Sequence, residues 1–297
     1  MRALNNDAVD GKRGDPLGDR IEFRRQHCVY DPSIQFRAYR RVGGAVPTNA
    51  GIAITPKRAR EHDDELQQAK FKLRQPLQAI TSHSPKPVCK VWARRISAAQ
   101  EAIASLASDI HPTSAVLPVY MDLTKEQTVK DAAVFVAAAL KERGLSGLDA
   151  LVNNAGIPTG TDLAIFATNV VGTLAVKNAF RPLLKQGSRI VNVSSLLGSQ
   201  TLNQARPRVV PVAIYTTYAA SKAALNNLVL QWAFEEEEAK SGIRVMALCP
   251  GHTTTAANAF SEHGAPPEKT CKIIVDSAMG TPENGAFVDV KGATIPW

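Results

Sequence analysis

SRIVNVSSLLGSQTLNQARPRVVPVAIYTTYAASK, residues 188–222, decides the fold. SRIVNVSS is a short run, apolar on both faces, that ends in two serines, as a strand covered by helices on either side would. YTTYAASKAALNNLVLQWAFEEEEAK (215–240) then carries a helical pattern, so the stretch reads as strand, polar connection, helix. The same alternation extends in both directions. Upstream lie CKVWA (89–93), the helical SAAQEAIASLASDI (97–110), AVLPVYMDL (115–123), and the helix TVKDAAVFVAAALKERG (128–144), which ends at Gly144. LDALVNNAG (148–156) and the helical DLAIFATNVVGTLAVKNAFRPLLKQG (162–187) follow, and downstream come IRVMALCPG (243–251) and a tail containing GAFVDV (285–290). Repeated βα units of this kind imply an α/β fold with a doubly wound, Rossmann-like parallel sheet.

Composition sets wider limits. With 297 residues, 44% hydrophobic and 21% charged, the chain can bury a full core. No unbroken apolar run reaches the roughly 18 to 20 residues of a membrane span, and MRALNNDAVDGKRGDP lacks a signal-like apolar stretch. The expectation is a cytoplasmic protein with no membrane partner. The formal net charge of +8 is uneven: residues 1–88 hold 16 Lys and Arg against 10 Asp and Glu, leaving 19 against 17 for residues 89–297. No nucleic-acid-binding motif accompanies that excess, so no nucleic-acid partner is expected. Cys28, Cys89, Cys249 and Cys271 are scattered, without metal-ligand spacing or a disulfide framework.

In such sheets ligands sit beyond the carboxyl ends of the strands. The residues there are Asp122, Asn153-Asn154-Ala155-Gly156, Ser194-Ser195 and Pro250-Gly251. Tyr218 and Lys222, four apart, share one helix face. A phenol titrates near pH ~10, and a nearby ammonium favours its ionised form. Ser195 can hydrogen-bond an oxygen on which charge develops. Together these groups suit carbonyl reduction or alcohol oxidation. Singly, each has an ordinary structural reading: a turn for Asn-Asn-Ala-Gly or Ser-Ser, a helix cap for Asp122, a core amide for Asn169.

LVNNAG (151–156), TNVVGT (168–173), IVNVSS (190–195), YAASK (218–222) and CPG (249–251), in that order, resemble the short-chain dehydrogenase/reductase family. The tail GAFVDVKGATIPW is similar to the endings of its carbonyl-reductase-like branch. The resemblance implies a small-molecule carbonyl or alcohol substrate and a catalytic tetrad. Tyr218 would be the acid/base, Lys222 would lower its pKa and hold the nicotinamide ribose, Ser195 would orient the carbonyl, and Asn169 would anchor a relay water. It further implies cofactor contacts at Asp122, Asn154, Thr253 and Thr255. Arg94 and Arg95, directly after CKVWA, stand where guanidinium suits a 2′-phosphate, which favours NADP(H). The family's two long helices, here 162–185 and 214–238, often form homo-oligomers. Glu235–Glu238 reads as a solvated helix end.

The chain departs from the family in residues 1–88, an atypical basic N-terminal segment before the dehydrogenase domain of 89–297. The opening T-G-x-x-x-G-x-G turn is absent, and the nearest echo lies at Gly43–Ala53. The strand that should precede this turn belongs between CKVWA and LDALV, at the middle of the sheet. Two readings follow. Residues 45–55 with the helical 56–73 form a degenerate first βα unit, or the segment is foreign to a domain that lacks its central strand; poor local consistency favours the second. A longer connection between Ser195 and Tyr218, with Pro207 and Pro211, is expected to be an ordered loop beside the substrate.

Overall fold

β-branched and leucine-rich runs set the strands, and glycines end the segments between them. The computed structural model describes residues 88–94, 96–105, 107–109, 114–205, 215–254 and 264–297. The 1–88 segment apart from Val88, Arg95, the loop prolines Pro207 and Pro211, and Thr255 lie outside them. The described elements are β1 (Val88–Ala93), α1 (Ile96–Ser105), β2 (Ala115–Tyr120), α2 (Glu126–Glu142), β3 (Leu148–Asn153), α3 (Asp162–Leu183) and β4 (Leu184–Val193). Then come α4 (Gln200–Gln204), α5 (Thr216–Glu238), β5 (Arg244–Leu248), α6 (Pro267–Thr270), α7 (Lys272–Met279) and β6 (Phe287–Val288).

Every ladder between these strands is parallel, as the βα alternation requires. The strands form two sets: β1 pairs with β2, and β3-β4-β5-β6 form a second ladder in that order. Among the described residues no strand joins β1 to β3, the place where the sequence lacks a recognisable strand. The two ladders nevertheless contribute to one core. Val119 and Met121 from the end of β2 cluster with Val129, Val136 and Leu140 of α2, Leu151 of β3, Phe180 of α3, Ile190 of β4 and Trp232 of α5. A smaller cluster of Val191, Met246, Leu248 and Ala278 packs α7 on the opposite side.

The junction of α3 and β4 differs from the sequence pattern. The helical reading of 162–187 runs too far, because β4 begins at Leu184. Gly187 at φ +75° permits an irregularity in which pairing with β3 jumps from Leu148↔Leu184 to Ala150↔Arg189. Within α3, residues Ala167–Gly172 form a π-helical turn. α3 is also long and apolar enough, by length and composition, to cross a membrane. Here it packs against α2 and α5, burying Ile165, Asn169, Thr173, Val176, Lys177 and Phe180. Glycine lets it approach closely: a Cβ on Gly172 would lie 2.7 Å from the Leu123 backbone oxygen.

The run Glu235–Glu238 is not uniformly solvated. Glu235 pairs with the buried Lys177, and Glu236, 3% exposed, accepts two hydrogen bonds from the Arg181 guanidinium. The acidic end of α5 is thus the partner of two α3 cations. Arg181 sits at the last turn of α3, a position that also favours positive charge.

Candidate active site

The carboxyl ends of β3, β4 and β5 bring the polar clusters to one edge, and two asparagines tie these strands together below it. Asn153 Nδ2 donates to Asn192 Oδ1 at 2.8 Å, and Asn192 Nδ2 donates to the Met246 carbonyl at 3.0 Å. Asn192 is fully buried, so these bonds satisfy groups that water cannot reach. Ser194 Oγ, one residue past β4, donates to Asn226 Oδ1 at 2.5 Å and anchors the strand end to α5.

Tyr218 and Lys222 occupy successive turns near the start of α5, and Ser195 follows β4. The Ser195 hydroxyl is hydrogen-bonded to the Tyr218 hydroxyl. Lys222 is 4% exposed; its Nζ donates to the Val193 carbonyl at 2.7 Å and lies 5.7 Å from the centre of the Tyr218 ring. Burial pushes the Tyr218 phenol up to about 12, against the lowering effect of the Ser195 hydrogen bond, with Cys249 and Tyr215 raising it further. Burial pushes Lys222 down to about 8, although Cys249 acts in the opposite sense. The expected lowering of the phenol by Lys222 is therefore not what this arrangement produces. Desolvation of the phenolate dominates, and the ammonium is engaged with Val193.

Asn169, 1% exposed, lies in the π-helical turn of α3, a kind of irregularity that often marks functional positions. Its Oδ1 accepts from the Ile157 N–H at 2.8 Å, and its Nδ2 donates to the Ile157 carbonyl at 2.9 Å and to Ser221 Oγ at 3.1 Å. Ser221 Oγ donates in turn to the Tyr218 carbonyl at 2.7 Å. Both amide hydrogens of Asn169 are thus committed to protein partners, linking the loop after β3 to the helix that carries Tyr218. Gly156 makes this convergence possible: a Cβ there would lie 3.2 Å from Asn169 Oδ1 and 3.5 Å from Lys222 Nζ.

A second group gathers at the ends of β1 and β2. Burial raises the Asp122 carboxyl, but hydrogen bonds from Thr124 and the charges of Lys125 and Arg94 outweigh it, so its pKa is lowered. Thr124 donates to Asp122 Oδ1 from its hydroxyl at 2.7 Å and from its N–H at 3.0 Å. Arg94 is exposed and acts on Asp122 through its charge, so these two expected residues are neighbours. Asn154 is half-buried just past β3, and Thr253 bridges to Ala265 beyond the Gly251 turn, where φ is +80°. Ser221, Asn226 and Cys249 are the members to which sequence reasoning gave no place in the site. Ser221 lies inside the quoted YAASK, and its spacing from Tyr218 was the available signal.

This sheet, with these side chains at its carboxyl edge, defines a dinucleotide-type oxidoreductase fold, and the chain belongs to the short chain dehydrogenase family, whose model matches residues 86–265. It is 30% identical over 222 residues to the short-chain dehydrogenase anuI of Penicillium roqueforti, covering 69% of this chain and 84% of that one. It is 35% identical over 142 residues to estradiol 17-beta-dehydrogenase 2 of Mus musculus, a match covering 44% of this chain and 33% of the relative. The chain thus spans about a third of the length of the mammalian estradiol dehydrogenases it matches. In fold it is similar to the NADPH-bound carbonyl reductase from chicken fatty liver, with a TM-score of 0.62 and 26% identity over 77% of this chain and 90% of that one.

Proposed function

We propose that the protein is an NADP(H)-dependent carbonyl reductase or alcohol dehydrogenase in which Tyr218 is the acid/base. The observation that carries this reading is the Tyr218–Ser195 hydroxyl pair with Lys222 buried one turn along the same helix. A phenol held at about 12 is protonated at neutral pH, so it can donate to a developing alkoxide on a carbonyl substrate. Ser195 would hold the same oxygen, lowering the cost of charge developing there. Asn169 and Ser221 would keep the Tyr218 turn in register with the loop after β3.

The residues present fit two ends of a dinucleotide. Arg94 and Asp122 would face the adenosine end, where the guanidinium favours a 2′-phosphate. Lys222, at the Gly156 backbone, would meet the nicotinamide ribose, with Asn154 and Thr253 beside it. Bound there, NADP(H) would supply or accept the hydride. The NADPH-bound carbonyl reductase from chicken fatty liver, 26% identical, supports the choice. Among the described residues no strand-to-helix turn lies between β1 and β3 to meet the phosphates.

The glycine turn absent from the sequence motivates the other reading, a catalytically impaired family member that binds or regulates. One experiment separates the two. Purified protein should oxidise NADPH with a panel of aldehydes and ketones, and Tyr218→Phe should reduce the rate by roughly 10²- to 10⁴-fold while leaving NADPH binding intact. Retained activity in Tyr218→Phe overturns the mechanism, and a chain that neither binds NADPH nor turns it over supports the binding or regulatory reading.

A further inference from the structure

The segment Thr294–Trp297 lies against the residues that follow Ser195. Ser199 Oγ donates to the Pro296 carbonyl at 2.5 Å, while the N–H and hydroxyl of Thr201 donate to the Trp297 carbonyl at 3.0 and 2.6 Å. Ser199 is also the N-cap of α4, its hydroxyl accepting from the Leu202 N–H at 3.1 Å. A helix start leaves several backbone N–H groups without internal partners, and here the tail carbonyl takes one while Ser199 takes another. The tail is itself fixed. The Trp297 ring stacks on Phe287 of β6 at 5.1 Å, and the Ile295 N–H donates to the Phe287 carbonyl at 2.7 Å.

On its other side the same turn rests on α5. A Cβ on Gly198 would lie 2.7 Å from the carbonyl carbon of Lys222, so turn and helix are in backbone contact. The turn closes on Ser195: the Gly198 N–H donates to the Ser195 carbonyl at 2.8 Å, the Leu197 N–H donates to Ser195 Oγ at 3.2 Å, and Asn203 Nδ2 donates to the Leu197 carbonyl at 2.7 Å. The Ser195 turn is therefore held between Lys222 on one side and, through Ser199 and Thr201, the tail on the other.

We infer that Thr294–Trp297 is a positioning clamp that holds the Ser195 turn against α5, so that Ser199 and Thr201 act on the reaction through Ser195 without touching substrate. The catalytic consequence rests on the reading of Ser195 and Tyr218 given above. Its test uses the full chain with Ser199→Ala, Ser199→Thr and Trp297→Ala, and has two readouts.

Hydrogen exchange follows the turn directly. In Ser199→Ala and Trp297→Ala the amides of Gly198, Thr201 and Leu202 should exchange at least about tenfold faster, while Asn192 in β4 is unchanged and Ser199→Thr stays near wild type. Unchanged exchange at Gly198 and Thr201 in both alanine variants overturns the clamp. Kinetics follows the consequence. With a carbonyl substrate, kcat should fall about tenfold at unchanged NADPH affinity. Accelerated exchange with unaltered kcat and KM overturns the positioning role. A wild-type chain that reduces nothing removes the reading of the site, and the exchange measurement then decides alone whether the tail holds the Ser195 turn.

Discussion

The β3–β6 ladder and the β1–β2 pair are built from the same kind of short parallel strand, yet they are held very differently. β4 has hydrogen-bonded neighbours on both sides, an asparagine chain crosses from β3 to β5, and α3 and α5 lock over it through Lys177–Glu235 and Arg181–Glu236. β1 has β2 as its one described neighbour, and the pair joins the common apolar cluster through Val119 of β2 and the adjacent Met121. The residues proposed for catalysis belong to the first region, and Arg94 and Asp122, proposed to face the adenosine end of the cofactor, to the second. The proposed chemistry and the proposed cofactor preference would thus be carried by different parts of one fold.

The largest test of that difference is Trp232→Ala. Trp232 is 2% exposed in the core under α5, and its loss should cost about 3–5 kcal/mol in denaturant unfolding. Val119→Ala at the end of β2 should cost about 1–2 kcal/mol, and equal costs would erase the distinction. Native-state exchange gives a finer comparison. Amides of Ile190 and Asn192 in β4 should exchange about a hundredfold more slowly than those of β1. Equal protection in β1 would show that its second edge is paired.

Arg94→Glu addresses the cofactor end alone. It should lower the preference for NADPH over NADH roughly tenfold and leave kcat with the preferred cofactor near wild type. An unchanged ratio removes Arg94 from the choice. The smallest effect is in pH. Lys222 is charged below its pKa of about 8 and neutral above it, whereas Tyr218 at about 12 keeps its proton throughout. If the ammonium is needed, carbonyl reduction falls as pH rises through about 8, by up to about tenfold per unit beyond it. A flat profile from pH 7 to 10 excludes that need.

Much of this was legible in the sequence because period and order are local properties. The apolar strands, the glycine after α2, and the Tyr218–Lys222 spacing each follow from a few adjacent residues. The absent T-G-x-x-x-G-x-G turn was legible too, as a missing pattern. What could not be read depends on contacts distant in sequence. Nothing near Glu236 reveals that Arg181 lies opposite, and nothing near Tyr218 reveals that burial outweighs the Ser195 hydrogen bond in setting its pKa. Asn169 was found as a motif member, but its two hydrogen bonds to Ile157 and its tie to Ser221 needed the fold.

Gly198 shows what this packing means for mutational tolerance. Any side chain there runs into the Lys222 backbone, so in a saturation library the position should accept no replacement, and fold and activity should disappear together. Three residues earlier, Ser195 is half-buried and its neighbours do not forbid a smaller side chain. Substitution of Ser195 by alanine should then separate the two traits, leaving a folded protein without the hydroxyl. The two ends of one short turn would appear in such a library as opposite kinds of constraint, one of space and one of chemistry.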